Sequence, residues 1–224
     1  MTTSRWNDPA TASSYLKNAR ASVPYLPAVH GIVEQILAET VPDDGRLLVV
    51  GAGGGLELTH LAERHGGWRF DGVDPSAPML QLAKETMGPL ADRAALIEGY
   101  VENAPPGPFD GATCLLTLHF LQTTERLQTL EEIRSRLRQG APLLTFHHSV
   151  PDDEAALTWF QRFARTAAGR TADDEQIDKT ANALATHLPF LSPEADEALL
   201  REAGFKDVGL FFAALTFRGW VAYA

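Results

Sequence analysis

Residues 47–58 read LLVVGAGGGLEL, and further on comes Gly72-Val73-Asp74-Pro75, with Asp74 twenty-three positions past Gly51. An apolar run, a glycine turn, a helix, a second strand and then an acid make the layout of a nucleotide-binding βαβ unit. Residues 47–50 suit a parallel strand buried on both faces. Gly51, Gly53 and Gly55 let the backbone turn sharply and come close to a ligand. Asp74, at the tip of the second strand, can accept both hydroxyls of a ribose. The bland alternatives are a turn with no ligand, and an aspartate that caps a turn ahead of Pro75. Both features in register favour binding.

Outward from this unit, Pro27 opens a helix with the apolar stripe Val29, Ile32, Val33, Ile36 and Leu37. Residues 9–22 read as an earlier helix, stopped at Ser22-Val23-Pro24-Tyr25. Strands are expected at 46–50, 68–73, 94–98, 109–118 and 142–146. Helices are expected at 56–65, 79–87 and 125–139, the last with its charges outward. The alternation then breaks. Residues 147–193 offer a helix near 153–167 and a second near 173–187 with Thr171 as its N-cap, and Ser192-Pro193-Glu194 opens a third. Residues 207–212 and 214–223 read as an antiparallel pair of strands. The expected fold is α/β: a doubly wound, Rossmann-like seven-stranded sheet in one domain, residues 1–224. It carries an N-terminal helical cap (1–40), a helical insert after strand five (147–193) and a terminal antiparallel hairpin.

The composition fits one ordinary globular domain, with 224 residues, 45% hydrophobic and 21% charged. A net charge of −10 with only 19 Lys and Arg, and no basic cluster, weighs against nucleic acid and anionic membrane as partners. No apolar run approaches the ~20 residues that cross a bilayer. Residues 1–15 lack the apolar core of a signal peptide. The lone Cys114 excludes an internal disulfide and reads as core filler, which points to a reducing, cytoplasmic setting. No metal is expected, because no third ligand stands at suitable spacing from His147-His148.

The loop discriminates among cofactors. A phosphate loop ends in Gly-Lys-Ser or Gly-Lys-Thr, unlike Gly55-Leu56-Glu57. A dinucleotide loop wants a sixth-position glycine, where Leu56 stands. Glu57 in the first helical turn would also repel a phosphate on the helix N-terminus. The remaining G-x-G-x-G resembles motif I of class I S-adenosylmethionine-dependent methyltransferases, whose ligand has no pyrophosphate. Gly72-Val73-Asp74-Pro75-Ser76 resembles the family's second motif, and Ile97-Glu98-Gly99-Tyr100-Val101 its adenine-contacting third-strand tip. Phe109-Asp110-Gly111 resembles the opening of strand four, residues 136–144 the helix, turn and strand that follow, and Ala203-Gly204-Phe205 the lead into the hairpin. The resemblance covers residues 46–224. It implies S-adenosylmethionine as cofactor, held by Gly51, Ala52, Gly53, Gly55, Asp74, Pro75, Tyr100, Val101 and Leu116, with Tyr25 and Tyr15 covering it from N-terminal segments. Core packing is the competing account of both tyrosines.

Arg20-Ala21-Ser22-Val23-Pro24-Tyr25, Leu116-Thr117-Leu118-His119-Phe120-Leu121 and Leu210-Phe211-Phe212 further resemble the carboxy-S-adenosylmethionine synthase branch. That branch makes a carboxylated cofactor from prephenate for tRNA wobble-uridine modification. Leu199 stands where its carboxylate-binding arginine aligns, with Arg201 two positions on, and Leu115 replaces a polar asparagine. A buried carboxylate without its arginine is costly, so the departures favour ordinary methyl transfer. Val49 stands where the wider family has an acid for the methionine amine, and Tyr100 where it has an acid for the adenine amine. Glu57 replaces the first only if the helix turns it inward. Tyr100 can stack on or bond the purine.

The expected function is methyl transfer from S-adenosylmethionine to a small-molecule acceptor. Carboxylated-cofactor synthesis and a non-catalytic binding role are the alternatives. His119, just past strand four, is a candidate to orient or deprotonate the acceptor, and a capping histidine is the equal alternative. One of His147-His148 must point away in extended chain, and His147 is the second catalytic candidate. Trp159, Phe160 and Phe163 suit a packed helix face better than an acceptor pocket. Asp152-Asp153-Glu154 and Asp173-Asp174-Glu175 read as acidic first turns of helices. The aromatic insert or a sheet edge offers a homodimer surface.

Overall fold

The computed structural model describes residues 6–8, 15–16, 23, 25–151, 155–169 and 173–224. Its elements are α1 (Leu26–Ala38), β1 (Arg46–Val50), α2 (Leu56–Arg64), β2 (Arg69–Asp74), α3 (Ala77–Met87), β3 (Ala94–Glu98), β4 (Gly111–Leu115) and α4 (Thr123–Arg136). They continue as β5 (Pro142–His148), α5 (Ala155–Ala168), α6 (Asp174–His187), α7 (Pro193–Glu202), β6 (Lys206–Ala214) and β7 (Phe217–Tyr223). The seven strands form one sheet in the order β3-β2-β1-β4-β5-β7-β6. β1 to β5 pair in parallel, and β7 pairs antiparallel with both β5 and β6. The expected doubly wound sheet with a terminal hairpin is what forms.

Period-two alternation divides the core. Leu47 and Val49 of β1 join Val29, Val33 and Leu37 of α1 and Leu58 and Leu61 of α2 on one face. Leu48 and Val50 join Leu130 and Ile133 of α4, Leu199 and Leu200 of α7 and Trp220 of β7 on the other. Each such side chain removed from water contributes about 1.5–3 kcal/mol, which explains why β1 reads as unbroken apolar sequence. Between the faces, β1 and β4 end side by side at the edge that carries the glycine loop.

Several boundaries differ from the sequence expectation. β4 stops at Leu115, not at 118, because Leu116 turns into the left-handed region (φ 57°) and Leu118–Phe120 form a 3-10 turn. β5 runs on through His147 and His148, which pair in register with Arg218 and Phe217 of β7. The cap of α6 is Asp173, whose carboxylate accepts from the Gln176 amide at 2.7 Å. Thr171, expected there, lies outside the described residues, as do most of 9–22 and the acids 152–154. Ser192 caps α7 as expected, accepting from Ala195 N at 3.2 Å. The charges of α4 do not all face outward: Arg126 is 0% exposed. Among the described residues no helix is long and apolar enough to cross a membrane.

Candidate functional site

The first glycine turn is tied to the second strand by its backbone. Gly51 N and Ala52 N both donate to Val73 O, at 2.9 and 3.0 Å. Asp74, at the end of β2, closes the other side: Oδ2 accepts from Gly53 N at 3.0 Å and Oδ1 from Ser76 N at 2.9 Å. The approach is so close that a Cβ on residue 53 would stand 2.6 Å from Oδ2 and 2.9 Å from Met79 Cβ. Burial pushes the Asp74 carboxyl up, and the two backbone donors oppose that. Each oxygen keeps a further lone pair, so the carboxylate can still accept from a ribose.

Opposite this lock, Leu116 N donates to Phe146 O at 2.5 Å from its left-handed conformation. Backbone strain in a branched residue at a ligand edge marks a position that the surroundings over-determine. Thr117 then donates its hydroxyl to Leu115 O at 3.1 Å and fills the space beside Gly51.

A crevice opens between β1, β4, α1 and α2. It is lined by Gly51, Ala52, Gly53, Gly55 and Leu116 of the expected cofactor set, together with Tyr15, Leu26, His30, Val49, Glu57 and Leu115. Tyr15 is the aromatic cover. Its ring lies on Gly54, edge-on to Trp6 at 5.5 Å. Trp6 O accepts from Ser76 Oγ at 2.7 Å, which holds Trp6 close to Asp74. Burial, with Asp74 and Glu57 adding to it, pushes the Tyr15 phenol up to about 12.

Asp74 borders this lining through its bond to Gly53 and is not itself part of it, and the remaining expected residues stand apart. Tyr25, expected as a cover, is 60% exposed with its ring 6.5 Å from that of Phe212. Its left-handed backbone (φ 69°) starts α1, which turns the ring away. Tyr100 is 49% exposed, its amide donating to Asn103 Oδ1 at 3.0 Å. Val101 is packed in the core with Val73, and Pro75 is half-buried next to Asp74.

His147 and His148 separate as strand alternation requires, and His119 lies on the 3-10 turn beyond β4. His119 is buried, and its Nδ1 accepts from His148 N at 3.3 Å, so the neutral ring carries its proton on Nε2. Burial first, then His148, His147 and Arg126, keep His119 well below its usual pKa. His148 faces α5, stacked on Phe217 at 4.1 Å, with Nδ1 2.8 Å from Thr216 Oγ1. His147, expected as an acid–base candidate, points to the opposite face. Its Nε2 lies 3.2 Å from Asp196 Oδ2, and the other Asp196 oxygen binds the Arg126 guanidinium. Arg126 also donates to Pro189 O at 2.9 Å. His147 therefore belongs to a buried ion cluster and not to the crevice.

Sequence reasoning missed Asp196 and Arg126. A signal existed for Arg126: it lies on one stripe with Leu130, Ile133 and Leu137, at spacings of four, three and four. Phe160 and Phe163 pack against Phe190 and Phe217, the packed-face alternative. Cys114 is fully buried core. No group of three or more metal-ligating side chains occurs among the described residues.

A family model described as a methyltransferase domain matches residues 48–143. The carboxy-S-adenosyl-L-methionine synthase of Staphylococcus epidermidis is 23% identical over 219 residues, covering 95% of this chain and 93% of that one. Its counterpart in Campylobacter hominis is 23% identical over 216 residues, covering 96% and 92%. Among solved structures, an O-methyltransferase family protein from Burkholderia thailandensis superposes with a TM-score of 0.71 at 16% identity, over 98% of this chain and 61% of that one. Human N-acetylserotonin methyltransferase in complex with SAM gives 0.67 at 15% identity, over 99% and 58%. A SAM-dependent methyltransferase from Aquifex aeolicus gives 0.64 at 17% identity, over 96% and 97%. The chain thus spans about 60% of the length of the first two of these solved chains, and nearly the full length of the two synthases.

Proposed function

Because the chain belongs to the class I S-adenosylmethionine-dependent methyltransferase superfamily, we propose that it binds S-adenosylmethionine in the glycine-loop crevice and passes the methyl group to a small-molecule acceptor. One observation carries the reading. The Asp74 carboxylate is locked on Gly53 N beside a crevice whose floor is the glycine backbone, with lone pairs left for an adenosine ribose.

When bound, the cofactor supplies a methyl group already activated by a positively charged sulfur. The protein's work is therefore alignment and exclusion of water. Tyr15 and Trp6 close the outer side. Leu115 and Leu116 present an apolar wall. His119, buried and engaged at Nδ1 by the His148 amide, is not among the crevice-lining residues, so no proton transfer is assigned to it.

Titration calorimetry with S-adenosylmethionine and with S-adenosylhomocysteine tests this directly. Binding in the micromolar range is expected; no heat at high micromolar ligand, with the protein folded, would sink it. A second reading draws on the relatives named carboxy-S-adenosyl-L-methionine synthase. A carboxylated cofactor needs a cation at its extra carboxylate. Leu199 is buried in the core, Arg201 pairs on the surface with Glu197 at 2.9 Å, and among the described residues no Lys or Arg lines the crevice. Ordinary methyl transfer is the better supported of the two. The mass of any ligand retained on purification separates them, the carboxylated form being heavier.

A further inference from the structure

We propose that Glu57 is the counter-ion for the α-ammonium group of the bound cofactor, standing in from the first turn of α2 for the acid that β1 lacks at Val49. The inference rests on the S-adenosylmethionine reading above. An acid in a helical first turn ordinarily faces solvent and gains a few tenths of a kcal/mol from the helix dipole. Glu57 does otherwise. It lines the crevice with Val49, His30 and the glycine backbone. Its Oε1 is fully buried and has no hydrogen-bond partner among the described residues.

Glu57 as a whole is half-buried, but a buried carboxylate oxygen left unpartnered costs free energy, and among the described residues none supplies the missing bond. The Thr113 hydroxyl leans towards the charged form from β4, yet its oxygen also lacks a full hydrogen bond. Among the described residues no Lys or Arg lines the crevice. A ligand that brings its own ammonium group supplies the missing partner, and S-adenosylmethionine carries one on its methionine arm. Val49 is fully buried and can supply nothing but an apolar wall.

The same geometry makes binding proton-linked. Burial pushes the Glu57 carboxyl up to about 7, with Thr113 pulling the other way. An incoming ammonium group favours the ionised carboxylate and expels its proton, so affinity rises with pH until Glu57 is ionised. Among the described residues few other titratable groups face it. Tyr15 is pushed up to about 12 and Cys114 on β4 is pushed up by burial. His30 on α1 is lowered to about 4 by burial and then by His60. Asp74 belongs to the adenosine end and acts alike on any adenosine ligand.

The test compares S-adenosylhomocysteine, which has the amine, with 5′-methylthioadenosine, which lacks the amino-acid arm. In wild-type protein the ratio of their affinities should rise about tenfold from pH 6 to pH 8. In Glu57→Gln, calorimetry should show S-adenosylhomocysteine weakened about 10- to 100-fold, with 5′-methylthioadenosine within twofold of wild type. Glu57→Asp should recover part of the loss. A flat ratio in wild type, or both ligands weakened equally by Glu57→Gln, overturns the assignment while leaving the cofactor reading intact. A wild-type protein that binds neither ligand overturns both. The wild-type pH series needs no variant, so a poorly folding Glu57→Gln leaves the assignment open to refutation.

Discussion

Gly55→Ala is expected to destabilise the fold and not merely to weaken a ligand, and the size of the effect follows from the geometry. Gly55 is the N-cap of α2 with φ 70°. An alanine there meets two costs. The left-handed backbone disfavours any Cβ by about 1–2 kcal/mol. The added carbon would also lie 2.7 Å from Ala83 O, 2.8 Å from Ala83 Cα and 3.1 Å from Ala83 C. These are backbone atoms inside α3, so no side chain can swing away, and α2 must shift off α3. Overpacking of this kind costs about 1–3 kcal/mol. Together the loss is about 2–5 kcal/mol, or about 4–20 °C in melting temperature for a chain of this size. Differential scanning fluorimetry, backed by urea titration, reads it. Gly31→Ala is the control: it sits inside α1 with nothing within 4 Å of the new carbon, and should stabilise by about 0.5–1 kcal/mol. If Gly55→Ala melts within 2 °C of wild type, the α2–α3 contact is not what demands glycine.

Asp196→Asn leaves the fully buried Arg126 without its charge partner and should lower unfolding free energy by about 3–5 kcal/mol in urea titration. A paired Arg126→Met/Asp196→Leu change should recover most of that, and no recovery would mean the cluster matters through some other contact. Acid should weaken the fold through two buried histidines, with Glu57, raised to about 7 by burial, pulling the other way as one opposing share. Burial holds His30 down to about 4, helped by His60, and His148 down to about 3, helped by His147, whereas the unfolded rings titrate near 6.5. Their neutral folded form contributes stability above pH 6.5 that is lost as pH falls towards those lowered values, by about 1.4 kcal/mol per pH unit for each ring. His148→Asn should remove one such share from the slope of stability between pH 6.5 and 4, and an unchanged slope would count against it.

The parts of the fold that the sequence announced are those where one physical demand acts alone. Residues 47–50 must be apolar because both faces of β1 are covered, and Ser192-Pro193 must start a helix because cap and φ agree. Where two demands compete, the reading slipped. The apolar run past Leu115 carries no trace of the left-handed turn at Leu116, which tertiary contacts impose. The polar pair His147-His148 hid the last two residues of β5, whose pairing comes from β7, about seventy residues away. Of the cofactor set, Gly51, Ala52, Gly53, Gly55 and Leu116 line the crevice because backbone geometry fixes them. Tyr15 and not Tyr25 covers it, a choice made by the contacts of Tyr15 with Gly54 and Trp6, which are far from it in sequence or lie outside any periodic pattern. Asp196 offered no warning, since an acid in a first helical turn looks alike whether it meets water or a buried arginine.

One consequence of the hairpin concerns how copies of this chain meet. β6 is the outer strand, and its pairing with β7 slips register twice, between Lys206 and Gly209 and again between Leu210 and Phe212. Asp207 sits in the left-handed region within the first slip. A bulged, twisted border offers no straight row of amides and carbonyls to a second sheet. The opposite border, β3, is only five residues long and ends on Glu98. Both rims are thus poor templates for lateral growth, so crowding at high concentration should not zip molecules edge to edge, and any twofold pairing has to use the helical faces.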